Sequence, residues 1–258
     1  MPLCGAGGTT DSGYLSGPNP VSVANLKSGA PTMNEASIPV RVWDLPTRAF
    51  HWLLAACVVG SIVSAYLGGN AMVWHLRLGY AVFTLLAFRL LWGVVGGHWS
   101  RFASFVYAPA TVVRYWRGQS RAHEHHDVGH NPLGALVVFA LLGLLTLQVG
   151  SGLFADDEIA TTGPLFKYVS DATSHALTRW HKNVGQWLII ALLLLHVGAI
   201  LFYWVWRQRN LVRPMLSGDK HLTVAAPVSS DSLRSRLLAA VLLVVCAGLV
   251  GWVVSLGA

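Results

Sequence analysis

His181 and His196 open and close the stretch HKNVGQWLIIALLLLH, and nearly everything between them is apolar. An imidazole in a lipid-embedded helix is costly unless something satisfies it, so it marks a functional position by default. On a helix rising 1.5 Å per residue the two rings lie about 22 Å apart, and fifteen steps of 100° return them to within about 60° of one direction. That separation is too long for one metal ion and suits two sites, one near each face of a membrane. Matching depth supplies each with a partner. His51 begins the first apolar stretch and pairs with His196, while His75 begins the second and pairs with His181. Neutral imidazoles facing each other from separate helices can supply both axial ligands of a haem iron. The alternative is a set of histidines that hydrogen-bond between helices, as polar side chains in membranes do. Four at two matched depths favour the metal.

The charged neighbours fit the same chemistry. Arg89 lies fourteen residues beyond His75, about 21 Å deeper on a helix, at the level of the inner pair. A buried guanidinium needs an anionic partner, and a haem propionate would supply one. Arg77 and Lys182 are similarly placed at the outer pair, where the alternative is ordinary snorkelling to the interface. Three cysteines, Cys4, Cys57 and Cys246, form no C-x-x-C-H attachment site, so any haem would be held non-covalently. Cys57 and Cys246 read as small apolar packers. The tract HEHHDVGH (His123, His125, His126, His130) could ligate a metal but reads better as a solvated loop. No nucleotide loop, zinc helix or hydrolase elbow is present.

The elements that must position these residues are membrane-spanning helices. The chain of 258 residues is 54% apolar and 11% charged, against about 25% charged in a soluble domain. Five apolar stretches reach the roughly 20 residues a span requires: Phe50–Leu67, Val73–Val95, Leu133–Phe154, Val184–Trp206 and Leu237–Leu256. No segment reads as strand. The basic surplus sets orientation and does not point to nucleic acid. Arginines and lysines gather before the first span, between the second and third, and between the fourth and fifth. The outer loops are uncharged or acidic. The positive-inside rule then places the N-terminus in the cytoplasm and the C-terminus outside, as five spans demand. Residues 1–38, rich in Gly, Ser, Pro and Thr, cannot bury enough surface to order themselves. Residues 100–119 mix aromatics with arginines, and Pro109 suits the first turn of a short helix at the cytoplasmic interface. Asp156, Asp157 and Glu158 in the second outer loop could steer a soluble redox partner, or simply form a solvated turn. The last span carries no ionisable residue after Arg236 and reads as a scaffold.

The segments VWDLPTRAFHW, HLRLGY, RLLWGVVGGHWSRFASF, GHNPLGA, HKNVG…LLLLHVGAILFY and LVRPMLSGDKH occur in that order between Val40 and His221. Together they resemble the prokaryotic cytochrome b561 family, which includes the di-haem b-type subunits of membrane-bound nickel hydrogenases. The resemblance implies an all-α polytopic fold. A four-helix transmembrane bundle over residues 39–221 would hold two haems b, and 222–258 would form a linker and a fifth helix. Matched motif to motif, the axial ligands would be His51, His75, His181 and His196, the four that depth selects. It further implies electron transfer across the bacterial inner membrane, between quinone or quinol and an outer partner. That partner would be a periplasmic redox protein such as a c-type cytochrome, or the subunits of a hydrogenase. A reading of another class, a cation or proton transporter lined by the histidines and Arg89, would require broken helices and repeat symmetry, and neither is visible.

Overall fold

The computed structural model describes residues 37–120, 128–158 and 161–257. The first 36 residues, His123, His125 and His126 lie outside that range, and with them the expectations of an unstructured tail and a His-rich loop.

Five helices are long and apolar enough to cross a membrane. Helix α1 (Leu45–Leu67) is started by Asp44, whose side chain accepts from the Thr47 amide, with Pro46 in its first turn. This cap satisfies amides that the first helical turn leaves unpaired. The helix therefore begins five residues before the expected Phe50, in a polar approach that hydropathy alone does not register. Helix α1 ends at Gly68, and Gly68 and Gly69 both adopt positive φ (62° and 51°), a conformation open to glycine. That tight turn folds α2 (Met72–Val95) back against α1. A short helix α3 (Pro109–Trp116) follows, with Pro109 at its start. Next comes α4 (Pro132–Leu153), capped by the Asn131 side chain at 2.7 Å from the Gly134 amide.

The fourth span differs from expectation. It does not begin at Val184, because α5 (Asp171–Arg179), a π-helical stretch (Trp180–Gly185) and α6 (Gln186–Val205) run on without a break. The polar residues of α5 carry no apolar run, but the Ser170 cap and continuous backbone bonding extend the helix beyond the apolar segment. After α7 (Val212–Ser217) and a linker, α8 (Leu233–Ser255) forms the fifth span.

Helix α2 is the centre of the bundle and packs on α1, α4 and α8. One core cluster joins Phe50, Leu85, Phe88 and Trp92 to Ala239 and Cys246 of α8, with Cys57 against it. The two cysteines are thus apolar packers, as expected. A second cluster joins Val58, Val82 and Leu86 to Leu145 and Ile189, tying α1 and α2 to α4 and α6.

The expectation of no strand is corrected. β1 (Ile38–Arg41) and β2 (Asp219–Leu222) pair antiparallel, Ile38 opposite Leu222 and Arg41 opposite Asp219. Four residues are too few for alternation to register, and β2, DKHL, is mostly polar. Their pairing comes from tertiary context, since the entry to α1 and the exit from α7 meet there. Arg41 binds Asp219 at 2.6 Å and Asp231 at 2.6 Å, and Arg236 binds Asp231 at 2.9 Å. This fastens the linker of α8 to the base of the bundle.

Candidate functional site

The fold brings the four histidines together in the two pairs that depth selects. His51 near the start of α1 faces His196 of α6 with ring centres 6.5 Å apart. His75 in the first turn of α2 faces His181 with ring centres 5.9 Å apart and ring planes 88° to one another. An iron held between two imidazoles sets their centres about 6 Å apart, from two metal–nitrogen bonds of about 2 Å plus the step from each nitrogen to its ring centre. Both separations meet that requirement.

Ring hydrogen bonding decides which nitrogen can ligate. His75 Nδ1 lies 2.9 Å from the Ser61 carbonyl, and His181 Nδ1 lies 2.9 Å from the Gln148 carbonyl. A carbonyl only accepts, so each Nδ1 carries the proton, and each Nε2 keeps its lone pair for a metal. Such outer contacts fix ring orientation and raise ligand basicity. His181 stands in the π stretch, a feature frequent at functional positions. Gly152 makes room for it, since a Cβ there would come 2.9 Å from His181 Cε1.

The inner pair has a different surround. Asp44 is fully buried and gathers donors from the Thr47 amide (2.8 Å), the Ser100 hydroxyl (2.7 Å), the Gly97 amide (3.1 Å) and Trp92 Nε1 (3.3 Å). These bonds lock the start of α1, and with it His51, to the end of α2. Arg89 is 3% exposed, and its guanidinium carbon lies 4.6 Å from the Phe102 ring centre. Its Nη1, together with His51 Nδ1 and His130 Nδ1, is buried with no hydrogen-bond partner among the described residues. Unpaired buried donors are costly. Arg89 Nη1 is a donor in any state, and an unpaired buried guanidinium beside two facing imidazoles suits an anionic, iron-bearing group, a character the propionates of haem b have.

His130 departs from its reading as part of a solvated loop. Its ring packs 4.7 Å from that of Trp43 and 4.6 Å from that of Phe105. Burial, then the charges of Arg89 and Lys220, push its pKa down to about 3, so it is neutral near pH 7. The HEHHDVGH composition alone grouped His130 with a solvated loop, and its adjacency to the helix-starting Asn131–Pro132 was the available signal. Asp44, Ser61 and Gln148 were also missed, two of them because they act through backbone carbonyls.

The remaining candidates lie at the surface, beside His75 and His181 in the chain. Arg77 is exposed, its guanidinium carbon 5.2 Å from the Trp74 ring centre. Lys182 is exposed and, with Asp156, Asp157, Glu158, His175 and Arg179, lines an outer cleft adjoining His181. Glu158 pairs with His175 at 2.9 Å, and Asp157 accepts from the Thr161 amide at 2.8 Å.

The family model described as prokaryotic cytochrome b561 matches residues 42–218. A "probable Ni/Fe-hydrogenase B-type cytochrome subunit" of Bradyrhizobium diazoefficiens is 24% identical, covering 79% of this chain and 94% of its own. A relative of the same description, for hydrogenase 1 of Escherichia coli, is 23% identical over 69% of this chain and 88% of its own. Another from Cupriavidus necator is 23% identical over 69% and 85%. No solved structure matches the chain.

Proposed function

The chain belongs to the prokaryotic cytochrome b561 family of multi-pass membrane haem b electron-transfer proteins, and from that premise we propose that it carries two haems b and moves electrons across the bacterial inner membrane. The observation that carries this reading is the pairing of imidazoles at 5.9 and 6.5 Å from helices that share the bundle interior. Bound haem b supplies the one-electron couple. The residues of this chain supply axial ligation, orientation and a low-dielectric surround. His75 and His181 would hold the outer iron through Nε2, their Nδ1 protons fixed on carbonyls. His51 and His196 would hold the inner one. Arg89 and His130 would offer donors to the inner carboxylates, while Arg77 and Lys182, exposed outside, would reach the outer carboxylates only by extending along the surface.

The basic residues of the inner loops support a cytoplasmic N-terminus and a periplasmic C-terminus. In this orientation electrons pass between the quinone pool and a partner at the outer face. The relatives' names favour hydrogenase subunits as that partner, and a periplasmic c-type cytochrome is the alternative. The outer cleft of Asp156, Asp157 and Glu158 would meet it close to His181, with an association rate that falls as salt rises.

Haem stoichiometry tests the reading. Acidified acetone should release all the haem from purified protein, two per chain. One per chain, or haem that stays with the polypeptide, would overturn it. A C-terminal alkaline phosphatase fusion should be active, and an inactive fusion would reverse the orientation.

A further inference from the structure

Gln148 of α4 is joined to the outer ligand His181 twice. Its side-chain Nε2 donates to the His181 backbone carbonyl at 2.9 Å, and the His181 ring Nδ1 donates back to the Gln148 carbonyl at 2.9 Å. The Ser151 hydroxyl donates to that same Gln148 carbonyl at 2.8 Å and lies 3.3 Å from the ring nitrogen. On the other side, Gly185 closes the π stretch, and a Cβ there would overlap Gln148 Oε1. The side chain of Gln148 thus fills a place kept open by a glycine, and its amide grips the backbone of the π turn that carries the ligand.

We propose that Gln148 is a positioning residue for the outer haem: its amide holds the π turn open and so sets the plane of the His181 imidazole against that of His75. This rests on the two-haem reading above. A π turn contains one residue more than the α-turn it replaces. If it relaxed to an α-helix, the chain before it would shift by one residue, about 100° of rotation and 1.5 Å of rise. His181 would then leave its line to His75. A donor from a neighbouring helix to the His181 carbonyl is an interaction that only the π register places correctly. Were both rings to hold one low-spin ferric haem, the angle between their planes, which stand at 88° to one another, would govern its g-anisotropy. The angle therefore has a spectroscopic readout independent of electron-transfer activity.

The test uses the full chain, purified in detergent and oxidised, with low-temperature EPR and a redox titration. Wild-type protein should show two low-spin signals; a single signal would sink the two-haem reading and this inference with it, whereas two signals that the variants leave in place would sink the inference alone. Gln148→Leu removes the donor, and Gly185→Ala pushes the amide aside without altering its chemistry. Both should shift the g-values and midpoint potential of the same signal, the one His75→Ala abolishes, and leave the other unchanged. Because both act through one contact, the double variant should shift the signal no further than the single ones. Unchanged g-values and potential in Gln148→Leu, or equal shifts of both signals, would overturn the proposal. If Gln148→Leu loses the outer haem, the comparison moves to Gln148→Asn, which draws the donor back by one bond. An unshifted outer signal there overturns it as well.

Discussion

At the scale of single residues the two sites are built differently. The outer imidazoles each donate to a backbone carbonyl, of Ser61 and of Gln148. The inner site instead buries Arg89 Nη1, His51 Nδ1 and His130 Nδ1 with no partner among the described residues. An anion there would satisfy the Arg89 guanidinium. Arg89→Leu should therefore weaken retention of the inner haem roughly ten- to a hundredfold, the range for a lost hydrogen bond to a charged group. It should also lower that haem's potential, because a nearby positive charge favours the reduced iron. Haem transfer to an apo-globin, followed component by component, measures the first effect. Equal loss from both sites would remove Arg89 from the inner one. The pairing of the four histidines and the depth of Arg89 were legible in the sequence because depth on a helix is arithmetic in residue number. Asp44, Ser61 and Gln148 were not. A capping carboxylate that becomes a hub of four donors looks like any N-cap, and a carbonyl acceptor has no side-chain signature.

Among the elements, the spans were readable from hydropathy, while what lies between and beneath them was not. The π stretch at Trp180–Gly185 leaves no compositional trace, since a one-residue bulge disturbs no apolar pattern. The β1–β2 pair was hidden by its length, and it matters because it sets Arg41 against Asp219 and Asp231. Asp231 also accepts from the Leu45 amide at 3.3 Å and pairs with Arg236, so one carboxylate joins the starts of α1 and α8. Asp231→Asn should cost about 1–3 kcal/mol through weakened hydrogen bonds to a charged group. Earlier proteolysis in the linker between β2 and α8 would register that loss, and unchanged cleavage would show the clamp to be idle. The Arg41 hydrogen bond holds the Asp219 carboxyl below its ordinary value of 3.8. A carboxyl whose pKa is lowered on folding stabilises the folded state above its unfolded pKa. That contribution is lost as pH falls through the folded value. The β1–β2 junction should therefore loosen only below about pH 4. Loosening already at pH 6 would point to another group.

On the scale of the whole molecule, one long helix faces two others across the bundle and contributes a histidine to each pair. His181 and His196 both belong to the continuous run from Asp171 to Val205, while His51 and His75 come from α1 and α2. Helices α1, α2, α4 and α6 enclose the two histidine pairs, the proposed cofactor-binding interior. Helix α8 packs outside them on α2, through Ala239 and Cys246, and carries no Asp, Glu, His, Lys or Arg after Arg236. The central claim is the pairing by depth, and a redox titration of four single variants, His51→Ala, His75→Ala, His181→Ala and His196→Ala, tests it most directly. His51→Ala and His196→Ala should lose the same component of the titration, and His75→Ala and His181→Ala the other. Losses that group His51 with His181 would contradict the pairing and the transmembrane path built on it.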